Sequence, residues 1–459
     1  MQTRSITSRP AAIAVVSLAF VLAVTLRVWG IDTRFWLLED QMRDWWVALG
    51  PFSGLPLVGP PTHVGGYTIG PAFYWILWAI RVTIGPWFDN LPHAGGIGQA
   101  ILQSGADALL LAAVWRRTGS PWIALTTIVL LVTSAYDLCL APLVWNPVMG
   151  STLAKAATAL VLLDWHRQSI VRAAITATLA WTAVHAYTGA IYVAVSVFLA
   201  LLVDPFARGD RALGRRNLVI IAVTVVLLQL PYAAHRVSNQ FRDDAMGAVS
   251  ESVGRILSGS ALPEFTKSVN GYVGAVRFIE FAPWNVPLVG WALLACGAIV
   301  AVRYRRDPPL LAMTLLPQAL AIVGYSLFLA GLDHYYYLSV MPAAAMTLVL
   351  ALTAVSPARL AAVVGVVVLM GALAMVPAKA RFAATMHRMP QYGLLVDASR
   401  RIKGVGQPMR SIRTEFSLPP TADPEYLFKV LGGRIDPASP WTSVIMTDGR
   451  VIYRDVNGS

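Results

Sequence analysis

The sequence predicts an α-helical polytopic membrane protein with about eleven transmembrane helices and a small C-terminal α/β domain outside the membrane. Three observations support this fold class. Of the 459 residues, 56% are hydrophobic and 13% are charged, and the mean hydropathy is +0.61. Apolar runs of about 20 residues recur along the chain, and each is long enough to cross a bilayer as a helix. In roughly the last 80 residues this pattern stops, and short strand and helix signals replace it.

The apolar runs define the predicted transmembrane segments. The first, from Ala11 to Val28, is interpreted as an uncleaved helix and not a signal peptide, because it is long and no A-x-A-like cleavage site follows it. The apolar segment 67–85 is predicted to lie on the outer leaflet as an aromatic interfacial helix, since an extra span there would reverse the side of every later basic cluster. The predicted spans are 11–29, 96–115, 120–138, 149–164, 170–184, 187–203, 217–234, 284–302, 309–330, 335–354 and 358–376.

The positive charge lies in short segments between these runs. The net charge is +12 and the pI about 9.9, which in a soluble protein would suggest nucleic-acid binding. With a cytoplasmic N-terminus, every basic cluster falls on the cytoplasmic side, as the positive-inside rule requires, and this argues against nucleic acid as a partner. Residues 30–95, 235–283 and 377–459 are then external. The cytoplasmic clusters are Arg4 and Arg9; Arg116 and Arg117; His166, Arg167 and Arg172; Arg208, Arg211, Arg215 and Arg216; Arg303, Arg305 and Arg306; and Arg359.

The chain is predicted to consist of a transmembrane domain, residues 1–376, and an extracytoplasmic α/β domain, residues 377–459. Capping and turn signals mark the second domain: Asp423 is a helix N-cap before Pro424, and Asp448-Gly449 is a hairpin turn. The expected elements are a helical start in 381–404, a strand in 411–419, a short helix in 423–436 that ends at Gly432-Gly433, and a β-hairpin in 442–456.

The stretch LLEDQMRDWW, residues 37–46, places four ionisable residues shortly beyond the first predicted span. If it is helical, Asp40, Arg43 and Asp44 share one face, because residues i, i+3 and i+4 are neighbours on a helix. One interpretation is a solvated juxtamembrane helix with a weak Asp40–Arg43 pair. The other is a catalytic carboxylate beside an arginine whose planar fork binds a phosphate.

The motifs on the C-terminal side of this stretch favour the second interpretation. Asp40-Gln41 and Arg43-Asp44 form DQMRD, Gly59-Pro60 and Gly70-Pro71 frame a loop, Phe73-Tyr74-Trp75 comes next, and VWNP at 144–147 and DHYYYLSVMPAAAM at 333–346 lie further along the chain. This order resembles the GT-C glycosyltransferases, specifically the bacterial dolichyl-phosphate-mannose protein mannosyltransferase-like group, over most of residues 10–376. Two departures are Gln41, where Glu is commoner, and GPP at 59–61, which lacks the Lys of KPP.

The resemblance implies an enzyme of the bacterial inner (plasma) membrane. It would transfer a sugar from a polyprenyl-phosphate donor in the outer leaflet to an acceptor hydroxyl, with inversion at the anomeric carbon. The acceptor would be a glycan, a lipid or a protein. Asp40 is the expected general base, and Arg43 the expected holder of the leaving phosphate. Glu39 and Asp44 either raise the pKa of Asp40 by like-charge proximity or only cap and solvate the helix.

Other residues are weaker candidates for the site. His334 and Tyr335 belong either to an aromatic belt or to a donor-phosphate contact, and metal coordination by His334 is a further alternative. His63 is a candidate ligand because some relatives use a divalent metal ion. Tyr74 belongs to the matched loop, and Asn146 is most simply a helix-turn residue before Pro147. The missing Lys contact is expected from the second external loop or is absent; candidates there are Arg236, Arg242, Lys267 and Arg277.

Asp107 is predicted to lie inside the second span, where an acidic residue is either functional or a hydrogen-bonded structural group. His185 is expected to be a satisfied polar group. Two other classes of protein compete with the enzyme. A transporter or flippase of lipid-linked saccharides would carry charged residues along its spans, whereas the acidic cluster here is in a loop. A membrane scaffold whose C-terminal domain binds a partner would leave the matched motifs unexplained.

Overall fold

The computed structural model shows a large helical bundle and a small sheet near the C-terminus. The helices are α1 (Arg9–Val28), α2 (Glu39–Ala48), α3 (Ala72–Thr83), α4 (Leu91–Thr118), α5 (Pro121–Val132), α6 (Ala135–Leu140), α7 (Asn146–Leu162), α8 (Trp165–Gln168), α9 (Ile170–Ala186), α10 (Ile191–Ala207), α11 (Arg211–Ser238), α12 (Leu262–Glu280), α13 (Pro287–Arg303), α14 (Pro308–Thr314), α15 (Leu316–Ser326), α16 (Met341–Ala354), α17 (Ala358–Ala374), α18 (Val376–Met386), α19 (Tyr392–Gly404) and α20 (Pro424–Val430). The structure describes residues 9–29, 31, 39–62, 66–88, 90–141, 143–239, 251, 254–255, 257–259, 262–280, 287–327, 334–354, 358–386, 392–416 and 423–456.

Every predicted span contains helix in its described part. In the described part of the chain, seven helical runs are long and apolar enough to cross a bilayer, and three apolar helices are shorter. The total of eleven spans therefore stays a prediction. The seven runs are Pro10–Val28, Leu91–Thr118, Thr188–Ala207, Arg211–Ser238, Pro308–Ser326, His334–Ala354 and Ala362–Arg381; the shorter helices are Pro121–Val132, Ile170–Ala186 and Ala292–Arg303.

Two predicted spans each contain two helices. Span 120–138 breaks after Val132, where the Ser134 side chain accepts a hydrogen bond from the Asp137 amide and caps α6. Span 309–330 changes from α14 to α15 at Leu315, next to Pro317, and proline has no amide hydrogen for a helical bond. A side-chain cap and a proline thus interrupt two apolar runs that are continuous in the sequence.

Helix α3 is the structured part of the predicted interfacial segment. Its 12 residues would extend about 18 Å, well short of the roughly 30 Å of a bilayer core. One face is buried, through Phe73, Tyr74, Leu77 and Ile80. A helix of this length is in keeping with leaving the segment out of the predicted spans.

The acidic helix α2 and the basic segments lie at opposite ends of α4. Near the start of α4, a Cβ on Gly95 would come within 2.0 Å of the Trp45 ring, so glycine allows α2 to pack there. Near its end, Arg117 bonds Asp307, with Nε 2.8 Å from Oδ2, and pairs with Asp164 at 2.8 Å. The two ends are about 33 Å apart at 1.5 Å per residue, which is close to the thickness of a bilayer core.

The C-terminal sheet has three strands, β1 (Ser411–Thr414), β2 (Trp441–Ile445) and β3 (Val451–Asp455). Strand β1 pairs with β2 in parallel, Ser411 opposite Thr442, and β2 pairs with β3 antiparallel, Trp441 opposite Asp455. Helices α19 and α20 pack on this sheet around a separate apolar core. As predicted, Asp423 caps α20 and the hairpin turns at Gly449.

Candidate functional site

Helix α2 is enclosed on most of its surface. Met42, Trp45 and Ala48 are buried among apolar side chains, and Gln41 and Asp44 are also buried. The side chains of Asp40 and Arg43 remain 45% and 32% exposed. A freely solvated juxtamembrane helix would not bury so much of its surface. Besides Trp46, which is 49% exposed, the open part of α2 is a charged edge formed by Asp40 and Arg43.

Arg43 joins the two aspartates of this edge. Its Nη1 donates to Asp40 Oδ1 at 2.9 Å, and its Nε donates to Asp44 Oδ1, also at 2.9 Å. The spacing i, i+3 predicts the first contact. The guanidinium is therefore held in place from both sides, and Asp40 keeps a partly exposed carboxylate that an acceptor hydroxyl can approach.

Asp44 differs from Asp40 in its surroundings. It is 1% exposed, and its Oδ1 also accepts a hydrogen bond from the Tyr74 hydroxyl at 3.0 Å. Burial raises the pKa of the Asp44 carboxyl to about 7, while the charge of Arg43 and the hydrogen bond from Tyr74 act against that rise. Burial also raises the pKa of Tyr74, so its hydroxyl stays protonated and remains the donor.

Two motifs far along the chain meet the open edge. The Trp145 indole Nε1 donates to Asp40 Oδ2 at 3.4 Å. The Trp145 ring lies 4.7 Å from the ring of Tyr335, which in turn stacks on Tyr336 at 4.6 Å. Trp145 is the N-cap residue of α7 and precedes Asn146. The DQMRD, WNP and HYYY segments are thus brought together, and the contact that sequence reasoning missed is that of Trp145, beside the predicted Asn146.

The Gly/Pro loop is built on close backbone approaches. The Gly59 amide donates to the Thr68 carbonyl at 3.2 Å, and the Thr68 amide donates to Pro60 at 2.9 Å. At Gly70 a Cβ would lie 2.0 Å from Nδ1 of His185. His185 is buried, with Nε2 3.0 Å from Gln229 Oε1. This loop therefore anchors α3 to α9, and His185 supports the loop as a packed polar group.

The C-terminal helix α20 covers another side of α2. The Tyr426 ring lies 5.8 Å from the ring of Trp46, and Lys429 Nζ lies 5.7 Å from the centre of the same ring, within the range of a cation–π contact. Met42 belongs to the core of the C-terminal unit, with Leu427 and other residues of α19, α20 and the sheet. Sequence reasoning did not predict this contact.

A second group of charges is buried in the bundle. Arg27 at the end of α1 bonds Asp107 of α4, Nη2 to Oδ2, at 2.5 Å, and Asp137 of α6, Nε to Oδ2, at 2.9 Å. Lys155 Nζ of α7 lies 2.5 Å from the other oxygen of Asp107. Gln103 also donates to Asp137. Asp107 is therefore an ion-paired group. The sequence signal for this network was the presence of ionisable residues inside or at the ends of predicted spans.

The remaining candidates fall in different places. Gln41 is buried. His334 lies against Gly274 of α12, where a Cβ would meet its ring at 2.7 Å. Lys267 pairs with Glu264 on α12. Outside the described residues lie the side chains of Glu39 and Arg277 and the whole of Arg242 and His63.

The described residues offer no ready site for a divalent metal ion, whereas His63 and the Glu39 side chain lie outside them. Among the residues that the structure describes, no three His, Cys, Asp or Glu side chains are grouped as metal ligands would be. Between Asp40 and Asp44 the position of a bridging cation is taken by the Arg43 guanidinium. Arg43, and not a metal ion, is therefore the cation that these two carboxylates share.

The fold matches a solved membrane enzyme. No protein-family model matches the chain, and no curated protein matches it in sequence. Two crystal structures of the oligosaccharyltransferase of Archaeoglobus fulgidus are similar. The apo form has a TM-score of 0.51 and 11% identity and covers 93% of this chain and 64% of its own. The complex with Zn and sulfate has a TM-score of 0.51 and 12% identity and covers 92% and 62%. The chain thus spans less than two thirds of the enzyme and shares its fold, and the long apolar helical runs in its described part are those of an integral membrane protein.

Proposed function

We propose that the protein is a membrane glycosyltransferase of the dolichyl-phosphate-mannose protein mannosyltransferase-like group. It moves a sugar from a polyprenyl-phosphate donor to an acceptor hydroxyl at the outer face of the membrane. The observation that carries this proposal is the open edge of α2, where a partly exposed Asp40 is fixed by Arg43 and Trp145 on a largely buried helix. The fold shared with the oligosaccharyltransferase is in keeping with it.

Asp40 is the proposed general base. A base must lie within hydrogen-bond reach of the hydroxyl proton that it removes, and Asp40 is the more exposed of the two aspartates bound by Arg43. Its Oδ1 is held by Arg43 and its Oδ2 by the Trp145 indole, so the carboxylate is oriented before substrate arrives. The acceptor oxygen then attacks the anomeric carbon, the bond to the phosphate oxygen breaks, and the anomeric configuration inverts.

Arg43 is the proposed contact for the phosphate that leaves. Its guanidinium is already shared by two carboxylates, so the three groups together carry a net negative charge when both carboxylates are ionised and no net charge when one is protonated. A protonated Asp44 leaves a neutral Asp40–Arg43 pair, whereas an ionised Asp44 adds a negative charge that repels phosphate. The raised pKa of Asp44, about 7, places this change close to neutral pH.

The other interpretations fit the described residues less well. A transporter path needs charges spread along the spans, and the buried charges in the bundle here pair with one another. A scaffold protein gives no reason for a buried aspartate, an exposed aspartate and an arginine to converge with Trp145 and Tyr335. The carrier of the sugar, the sugar itself and the acceptor class are part of the proposal.

A transfer assay tests the proposal. Purified protein in proteoliposomes is given a panel of synthetic polyprenyl-phosphate sugars together with membrane extract as the source of acceptor, and release of polyprenyl phosphate is measured. Asp40→Asn should lower the rate about 100-fold or more, as loss of a general base does, and Arg43→Ala should weaken donor use. The control is Asp397→Asn with Arg400→Ala, an exposed i, i+3 pair of the same type in α19. Full activity in Asp40→Asn, or no transfer by the wild type from any donor in the panel, contradicts the proposal.

A further inference from the structure

Helix α2 is shared between two apolar cores. Trp45 and Ala48 pack with Phe73 and Leu77 of α3, whereas Met42, three residues before Trp45, packs with the C-terminal unit. Because residues i and i+3 lie close together on a helix, a single stripe of α2 binds both cores. The orientation of the charged edge therefore depends on two parts of the molecule that are far apart in sequence.

Helix α20 crosses the same boundary from the other side. Leu427 and Phe428 are buried in the C-terminal core, and Val430 is buried in the core that contains Trp45. Tyr426 is partly buried against both cores. Each of the two helices thus contributes buried side chains to both cores, so α2 and α20 are joined through buried packing.

The contact also adjoins the charged edge. The environment of the Tyr426 hydroxyl includes Arg43, Asp423 and Asp44, and burial raises the pKa of Tyr426. The Trp46 ring contacts two side chains of α20, the Tyr426 ring at 5.8 Å and the Lys429 ammonium at 5.7 Å. Aromatic pairs of this kind contribute beyond their buried area, and the cation–π contact adds to this.

We propose that the C-terminal unit is a working part of the reaction centre, in which Tyr426 and Lys429 of α20 are positioning residues that hold α2 and so aim Asp40 and Arg43. The catalytic part of this inference rests on the proposed function, but the positioning itself does not. Losing the contact leaves α2 packed on one core only. The helix then opens more often, and the base is less often aligned, while the donor contacts outside α2 stay in place.

Hydrogen–deuterium exchange on the full-length protein in detergent tests the positioning without any substrate. Tyr426→Leu and Trp46→Leu remove the contact from opposite sides, and each should speed amide exchange of the peptide that covers α2 about tenfold. Exchange in α4 and α7 should not change. Tyr426→Phe keeps the ring and should exchange like the wild type. Tyr453→Leu, on β3, is the matched control and should leave α2 unchanged. Wild-type exchange of α2 in both Tyr426→Leu and Trp46→Leu overturns the proposal.

Kinetics with the polyprenyl-phosphate sugar that the wild type uses then test the catalytic part. In Tyr426→Leu, kcat should fall about tenfold because alignment is lost, whereas the donor KM should rise less than it does in Arg43→Ala, because Arg43 is still present. The Trp46→Leu/Tyr426→Leu double variant should lose much less activity than the product of the two single losses, since both remove the same contact. Faster exchange with an unchanged kcat overturns the catalytic part. If the wild type transfers no sugar, the proposed function fails, and the exchange result still decides whether α20 positions α2.

Discussion

Replacing Asp44 by Asn should remove a pH dependence that the buried carboxyl imposes on the stability of the protein. In the folded chain this carboxyl is enclosed beside Arg43 and Tyr74, and burial raises its pKa to about 7 from a usual value of 3.8. The charge of Asp40 on the same helix also raises the pKa of Asp44, and Tyr426 of α20 faces the pair from the C-terminal unit. Asn keeps an oxygen that can accept from Tyr74 but does not ionise.

The sign of the effect depends on where each state binds the proton. Between about pH 4 and pH 7 the folded chain keeps the Asp44 proton and the unfolded chain has lost it. The stability that this group contributes is therefore full below the unfolded pKa and is lost as the pH rises through about 7. One pKa unit corresponds to about 1.4 kcal/mol, so a shift of about three units corresponds to roughly 4 kcal/mol over this window.

Thermal unfolding in detergent at a series of pH values measures the effect as the difference between wild type and Asp44→Asn. As the pH rises from about 4 to 7, the free energy of unfolding of the variant should increase relative to that of the wild type. Above pH 7 the difference should stay constant. Infrared spectra should show a protonated carboxyl band in the wild type that disappears near pH 7 and is missing in the variant. Asp397→Asn, at an exposed position of α19, is the control. A difference that does not change with pH, or a band that titrates near pH 4, refutes the reasoning.

Two further changes test the packing around the site by thermal unfolding. Gly70→Ala places a Cβ against the buried His185 ring and should lower the free energy of unfolding by about 1–3 kcal/mol. In the control Gly105→Ala, a Cβ meets nothing within 4 Å, and the protein should not be destabilised. Equal melting points of the two variants would contradict the described contact. Arg27→Ala leaves two buried carboxylates without their shared arginine and should lower the free energy of unfolding by about 3–5 kcal/mol. The control is Arg116→Ala, at an exposed position. If the two variants melt at the same temperature, the network does not stabilise the protein.

Local spacing was enough to predict part of the site. The helix at α2, the Arg43–Asp40 contact, the N-cap at Asp423 and the hairpin at Gly449 all depend on residues a few positions apart. The helical membrane fold expected from the sequence agrees with the fold of the solved oligosaccharyltransferase. The narrower family, the catalytic assignments and the number of spans stay predictions.

Burial and long-range partners could not be predicted in the same way. Asp44 is enclosed because Tyr74 and the C-terminal unit pack near α2, and nothing next to Asp44 in the sequence indicates this. Arg27 finds its carboxylates 80 and 110 residues away. Trp145 was part of a quoted motif, yet its bond to Asp40 spans 105 residues. These contacts depend on how helices pack, and helix packing is decided by shapes that a single sequence does not reveal.

The contact between α2 and α20 can form only late in biosynthesis. The two helices are separated by roughly 380 residues, and at about 5–20 residues per second the ribosome needs about 20–80 s to make that stretch. Most of the bundle is inserted in this interval. During that time α2, which carries Asp40 and Arg43, can pack on α3 but not yet on the C-terminal unit. The charged edge reaches its final form only after the last part of the chain has been made, so a prematurely terminated chain would carry the acidic sequence without the assembled site.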